Sequence, residues 1–393
     1  MSALSIPTQK SDLTLGWLNA ALFNKDGEID GPIQNVEVET IGTGVGLVGG
    51  LYRCSLSYAP ADTFEPSSVV VKIRSDDPKS LKVAKTFLLY QKEVAFYHDI
   101  APSTPIVVPK LHHCAFDPSS HDFVLVLEDL DRLDVPNQLI GGSEEQGRIA
   151  IRHAARLHAR FWNKVNEPPL KGYFSLVAPS FTVKIHVGFH NSVAKVLDVF
   201  AQQLSPVAKD LIKTFGNNLA GHYHEMAQGP RTLTHGDYRL DNMFFGHGDD
   251  PELVVIDWQT NGIGVGMADV AYFMAGSLDP NVRQSIERDA IADYHEITSA
   301  EGGATWSLDE CWQAYRQAFV AAMTVPVIAA GELSLDNERA FELVQTGIRR
   351  MNAALEQLDV EEFMPHRRSI FSFAGFQSTL ANQMARFVPT GNP

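Results

Sequence analysis

The sequence predicts an α+β protein of two lobes: a β-rich N-terminal lobe with one long helix, and a larger helical C-terminal lobe. Three observations predict it. The 393 residues exceed what one ordinary hydrophobic core organises. Segments with strand periodicity crowd the early part of the chain. Past Leu130 helical periodicity takes over, broken by one compact β-containing patch. The lobes are expected at 1–127 and 132–393, joined by a hinge at 128–131, with a ligand cleft between them.

Residues 17–23 follow a cap at Ser11 or Asp12 and read as a short helix. Val36, Val38 and Thr40 alternate with charged or polar neighbours over 33–41, a strand signal. Glycines crowd at 42, 44, 46, 49 and 50, after which 51–58 alternates again until Pro60. The β-branched run 68–74 is a third strand. Residues 79–99 lack Gly and Pro and carry Leu88, Leu89, Phe96 and Tyr97 at helical spacing, so one long helix is expected there. Residues 111–116 and 123–127 add two strands. Residues 144–163 are helical, and helices are expected from 193 onward, interrupted by the β patch at 233–256.

Composition excludes several classes. The 32 basic residues against 47 acidic ones give a net charge of −15, which leaves no basic face for a nucleic-acid backbone. Hydrophobic residues at 45% and charged residues at 20% are the balance of a soluble globular protein. Three cysteines far apart in sequence form no closed disulfide set, so a reduced, cytoplasmic compartment is expected. Residues 1–12 are polar, without the apolar core of a secretory signal. The apolar stretch 318–330, interrupted by Pro326, is short of the roughly 20 residues that span a bilayer. Oligomeric state is not readable.

Gly44-Val45-Gly46-Leu47-Val48-Gly49 fits G-x-G-x-x-G. A dinucleotide-binding turn needs a helix next. Here a strand follows, and a strand–glycine loop–strand hairpin lays backbone N–H groups over nucleotide phosphates. A plain glycine-rich turn is the alternative. Lys72 lies inside the apolar strand Val69-Val70-Val71-Lys72-Ile73 and points either to solvent at a sheet edge or into a polar cleft. An ion pair with Glu93 on the following helix would aim its ammonium at the α- and β-phosphates; a surface salt bridge or no pairing is the alternative. The most specific signal is His235-Gly236-Asp237-Tyr238-Arg239-Leu240-Asp241-Asn242, followed by Val254-Val255-Ile256-Asp257-Trp258. Asp237 can accept the proton of an attacking hydroxyl. Asn242 offers a neutral oxygen and Asp257 an anionic one, the donors that Mg²⁺ prefers. An acidic loop without a role is the competing reading. His235 is a poor Mg²⁺ ligand and is expected to brace the loop. The pairs His112-His113 and His222/His224 read as packing or surface histidines, not metal ligands. No G-x-x-x-x-G-K-[ST] and no G-x-S-x-G occurs.

His235-Gly236-Asp237 with Asn242, and Ile256-Asp257-Trp258-Gln259, resemble the catalytic and metal-binding loops of the aminoglycoside phosphotransferase and choline-kinase-like superfamily. The resemblance runs from the glycine loop to at least Asp269. It includes Tyr90-Gln91-Lys92-Glu93-Val94-Ala95-Phe96-Tyr97 as the N-lobe helix, Glu128-Asp129-Leu130 as the hinge, and Ala155-Arg156-Leu157-His158-Ala159 in the helix beyond. His-Gly-Asp-Tyr-Arg-Leu-Asp-Asn is most similar to the ecdysteroid-kinase-like branch and to the kinase-like domains fused to certain acyl-CoA dehydrogenases. The resemblance implies a bilobal protein-kinase-like fold and transfer of the γ-phosphoryl of ATP, with Mg²⁺, to a hydroxyl of a small molecule. It implies Asp237 as general base, and Asn242 and Asp257 as metal ligands. Gly44, Gly46, Gly49, Lys72, Glu93, Glu128 and Leu130 would hold the nucleotide, while Asp269 would hold the catalytic loop in place. One departure is the stretch between Gly49 and Lys72, longer than in protein kinases and expected to contain an extended loop.

Few charges in 311–333, and the aromatic segment 172–198 with Tyr173, Phe174, Phe181 and Phe189, point to a largely apolar hydroxylated acceptor. Ordinary core packing of those helices is the alternative. An antibiotic-resistance O-phosphotransferase (aminoglycoside or macrolide) and a catalytically silent nucleotide-binding module are the competing functions. Retention of Lys72, Asp237, Asn242 and Asp257 together speaks against the silent module. Asp257 is followed by Trp258-Gln259, with no Asp-Phe-Gly and Ala-Pro-Glu pair, so a protein kinase is disfavoured.

Overall fold

The computed structural model describes residues 4–23, 31–42, 48–58, 66–332, 338–363 and 371–387. The chain divides into two compact units. One is Met1–Asp134 with Gly248–Asp250 and Val254–Thr260; the other is Val135–His247 with Pro251–Leu253 and Asn261–Pro393.

The first unit contains helix α1 (Leu15–Phe23) and strands β1 (Ile33–Thr40), β2 (Gly49–Tyr58) and β3 (Ser68–Arg74). Helices α2 (Pro78–Phe87) and α3 (Leu89–Ala95) and strands β4 (Leu111–Phe116) and β5 (Phe123–Glu128) follow. The strands form one antiparallel sheet in the order β1-β2-β3-β5-β4. Alternation in β3 sends Val69, Val71 and Ile73 into a core with Trp17, Leu18, Cys54, Val124 and Val126. Lys72 therefore faces the other side. It pairs with Leu51 on β2 and Leu125 on β5, so it belongs to a central strand and not to an edge. The β2–β3 ladder, from Gly49↔Arg74 to Ser55↔Ser68, takes up most of the spacing between Gly49 and Lys72.

The single helix expected over 79–99 is three pieces. α2 closes where Leu88 adopts the left-handed conformation (φ 57°, ψ 36°), its N–H turned to the carbonyls of Ala84 and Lys85. α3 then restarts, and Phe96–Ile100 forms a π-helical turn. A left-handed leucine costs roughly 1–2 kcal/mol. The break re-aims the chain from the mostly exposed α2 into α3, which buries Leu89, Tyr90, Lys92 and Glu93. Residues 254–260 join this unit through local contacts. Val254 bridges Val107, and Trp258 stacks on Phe96 with ring centroids 3.8 Å apart.

The second unit is helical around a small ladder. Its helices are α4 (Glu144–Arg160), α5 (Pro179–Val199), α6 (Pro206–Met226), α7 (Gly266–Ser277), α8 (Pro280–Gly302), α9 (Leu308–Ala322), α10 (Thr324–Glu332), α11 (Glu338–Gln357) and α12 (Phe373–Phe387). Short strands β6 (Thr232–Thr234), β7 (Met243–Phe245) and β8 (Leu253–Val255, its last two residues in the first unit) lie in the region read as the β patch, and β9 (Gly262–Gly264) lies beyond it. α4 starts on a capping box between Ser143 and Gln146 and packs along α8, while α7 packs on α9.

α5 begins well before the expected 193. Its buried stripe, Thr182, His186, Phe189, Ser192 and Val196, has helical spacing, but three of its members are polar and hide the apolar period. His186 is fully buried there. Its Nδ1 accepts the Ala220 N–H (3.3 Å) and its Nε2 meets Asn382 Oδ1 (2.9 Å), so the neutral ring carries its proton on Nε2. Burial pulls its pKa from 6.5 down to about 4. A group depressed in this way contributes stability above pH 6.5 that is lost as pH falls toward 4, about 3 kcal/mol in all. Urea midpoints should fall across that window, and His186→Gln should flatten the slope. An unchanged slope in the variant would place the acid sensitivity elsewhere.

Candidate active site

In the first unit, three sequence-predicted residues converge. Lys72 Nζ lies 2.8 Å from Glu93 Oε2 and 2.7 Å from Asp257 Oδ1. The lysine and glutamate side chains are 11% and 1% exposed, so their pair is buried and not a surface salt bridge, with the Asp257 carboxylate partly exposed beside it. Burial alone would lower the ammonium pKa; the Asp257 and Glu93 carboxylates outweigh it and raise the pKa, keeping Lys72 cationic. Burial pushes the Glu93 carboxyl up against the pull of Lys72. Asp257 adopts a left-handed backbone (φ 62°) two residues beyond β8, and its Oδ2 accepts a hydrogen bond from Gln259 (3.1 Å).

Around this triad, Gly49 pairs with Arg74, and a Cβ there would lie 2.6 Å from the Ile73 carbonyl oxygen, so only glycine fits. The Tyr90 hydroxyl donates to the Val48 carbonyl and accepts from the Ser75 N–H (3.0 Å), pinning the end of the glycine segment. Gly44 and Gly46 lie outside the described residues. At the end of β5 the Glu128 carboxylate accepts the Lys110 N–H (3.2 Å) and meets Arg132 (3.1 Å). The Leu130 carbonyl accepts the Leu133 N–H (2.9 Å), and its own N–H makes no hydrogen bond among the described residues. Between them Asp129 is locked by Arg53, Nε to Oδ2 at 2.6 Å, an anchor that sequence reading missed.

In the second unit, β6 pairs with β9 and delivers the chain to His235. Asp269 on α7 accepts the N–H groups of His235 (2.6 Å) and Gly236 (2.9 Å), and His158 Nε2 lies 3.3 Å from the same carboxylate. Gly236 has φ 81°, the backbone state that favours glycine. The His235 ring accepts the Asp237 N–H through Nδ1 (3.2 Å). Tyr238 donates to the Ala150 carbonyl (2.7 Å), and Ser277 Oγ accepts the Leu240 N–H (3.2 Å). The loop is thus fixed to α4 and α7.

The Asp237 carboxylate is held on both oxygens. Oδ1 accepts the Tyr272 hydroxyl (3.0 Å), while Oδ2 accepts Arg239 Nε (3.2 Å) and Asn242 Nδ2 (3.1 Å). Asn242 Nδ2 also donates to the Asp237 carbonyl (2.8 Å), and its Oδ1 accepts no hydrogen bond among the described residues. Arg239 Nη1 donates to Asp241 Oδ2 at 2.5 Å. Burial would lower the Arg239 pKa, but Asp237 dominates the opposing charges and raises it. Sequence reading missed Arg239 and Tyr272. The signal for Tyr272 was its place three residues after Asp269 on one helix, which puts both on one face.

Among the described residues, no group of three or more His, Cys, Asp and Glu could hold a metal ion. His222 is buried, with Nε2 against the Gln317 carbonyl (3.2 Å).

Residues 44–299 match the model of the ecdysteroid kinase-like family, about two thirds of the chain. The chain belongs to that family. The class expected from sequence, a small-molecule kinase, is the class of this kinase-like family. Solved structures agree on the fold. Choline kinase from Cryptosporidium parvum superposes with a TM-score of 0.51 at 12% identity, covering 84% of this chain and 92% of that one. A putative aminoglycoside phosphotransferase from Ralstonia eutropha gives 0.50 at 15% identity, covering 87% and 96%. No curated protein matches the chain. Among the described residues, no helix of this ecdysteroid kinase-like protein is long and apolar enough to cross a membrane.

Proposed function

We propose that this protein transfers the γ-phosphoryl group of ATP, with Mg²⁺, to a hydroxyl of a small, largely apolar molecule. The observation that carries the reading is the buried lysine held between two carboxylates, Lys72 with Glu93 and Asp257. A cation fixed in this way is a phosphate grip that needs no reorganisation on binding. Lys72 contacts the α- and β-phosphates, and Glu93 keeps it extended. Gly44, Gly46 and Gly49 offer backbone N–H groups to the phosphates. Glu128 and Leu130 receive the base, and the Leu130 N–H is a donor in hand for it.

The donor chemistry fits a hard cation. Asn242 has an amide oxygen that is unengaged among the described residues and Asp257 a carboxylate, and oxygen donors of this kind suit Mg²⁺. When bound, Mg²⁺ would neutralise phosphate charge as the γ-phosphoryl leaves. Asp237 accepts the proton of the attacking hydroxyl.

For the acceptor, Cys311, Tyr315, Phe319 and Met323 are fully buried, so these apolar residues of 311–323 serve as core. Support for an apolar acceptor comes from the aromatic segment, where Tyr173, Phe174 and Phe181 are half-buried. This segment runs beside β9: Phe174 O accepts the Ile263 N–H (2.7 Å), and Leu176 N–H donates to Ile263 O (2.9 Å). Products formed from ATP and a panel of sterols, macrolides, hydroxyacyl thioesters, aminoglycosides and choline, identified by mass, test this reading. Phosphorylation of the apolar alcohols is expected. Turnover of aminoglycosides or choline alone would overturn the acceptor class.

A further inference from the structure

We propose that Tyr272 is a positioning residue of the transfer reaction: with Arg239 and Asn242 it fixes the Asp237 carboxylate so that Oδ1 takes the acceptor's proton. This rests on the reading of Asp237 as the base. A carboxylate oxygen has two lone pairs in its plane. Those of Oδ2 are both engaged, by Arg239 Nε at 3.2 Å and Asn242 Nδ2 at 3.1 Å. Among the described residues Oδ1 has one donor, the Tyr272 hydroxyl at 3.0 Å, and so keeps one lone pair open. Charge points the same way. The guanidinium on Oδ2 draws the negative charge to that oxygen and weakens it as a base, whereas a neutral hydroxyl costs Oδ1 far less.

Without Tyr272 the carboxylate is anchored at Oδ2 alone and can swing about its Cβ–Cγ bond, taking the open lone pair off line. The hydroxyl is a durable anchor. Burial first, and the Asp237 charge second, push the Tyr272 pKa well above its usual value, so it stays a donor. It is also rigidly placed. Asp269 and Tyr272 project from one face of α7, the first holding the backbone of His235 and Gly236, the second the side chain of Asp237. One helix face therefore templates three consecutive loop residues. Among the described residues, the charged or polar groups around this carboxylate besides Tyr272 and Asn242 are Arg239, Asp241 and the His235 ring.

In the step itself, the acceptor oxygen forms a bond to the γ-phosphorus, and the bond from that phosphorus to the β,γ-bridging oxygen breaks. The electron pair leaves with ADP. The acceptor's O–H proton moves to Oδ1, giving a phosphate ester, ADP and a neutral Asp237, which then releases the proton to solvent.

Tyr272→Phe keeps the ring and removes only the donor, so the melting temperature should move by no more than a few degrees. With the acceptor that wild type phosphorylates, kcat should fall about tenfold. KM for ATP and for the acceptor should stay within about twofold. Crystal structures of wild type and variant should show the Asp237 carboxylate rotated in the variant. Unchanged kcat, a rise in KM alone, or an unmoved carboxylate would overturn the proposal. If wild type phosphorylates nothing, the reading of Asp237 as base fails and the proposal falls with it; a rotated carboxylate in the variant would then show that the clamp alone survives.

Discussion

Asp237→Asn should cut phosphoryl transfer by roughly 10²–10⁴-fold, the span of a lost general base, while leaving nucleotide affinity intact. The carboxylate is the one group in its loop on which three side-chain donors converge, from Tyr272, Arg239 and Asn242. Asparagine fills the same volume but cannot accept the acceptor's proton. The loop itself should survive, because its backbone is fixed elsewhere: His235 and Gly236 by Asp269, Tyr238 by Ala150, Leu240 by Ser277. The Lys72 triad belongs to the other unit and is untouched. Single-turnover kinetics paired with nucleotide calorimetry separate the two effects. A parallel loss of ATP affinity would mean that Asp237 organises binding and not chemistry.

The second large effect is on stability. Lys72→Met removes the cation between Glu93 and Asp257 and leaves a nearly inaccessible glutamate facing another acid. Removing one partner of a buried pair costs about 3–5 kcal/mol, because the remaining charge keeps its desolvation penalty. Urea unfolding should show that loss. Adding Glu93→Gln to Lys72→Met removes the stranded charge and should restore part of the stability without restoring transfer. Recovery of both would make the triad purely structural. No stability loss in Lys72→Met would show that Glu93 finds another partner.

The sequence made β1 and β2 legible by alternation and β3 by its run of β-branched residues, of which Val69 and Val71 reach the core with Ile73. It also made the catalytic segment legible, since only a few residue types serve a base and a hard cation at that spacing. What it hid has physical causes. The break at Leu88 uses a left-handed leucine where a glycine would have announced it. The early start of α5 is masked by polar residues on its buried face. The clamp on Asp237 depends on Tyr272, distant in sequence, and on which way a carboxylate turns, which no periodicity encodes. Arg350 illustrates the same limit: a buried arginine that donates to the carbonyls of Gln138, Leu139 and Gly276, partners that are far from it along the chain.

The most direct measurement is transfer of labelled γ-phosphate from ATP into the acceptor panel, with Mg²⁺ and with EDTA, for wild type and Asp237→Asn. A labelled phosphate ester is expected from wild type with Mg²⁺, none with EDTA, and at most about one percent of the wild-type rate from the variant. Equal labelling by wild type and variant, or transfer that persists in EDTA, would contradict this mechanism.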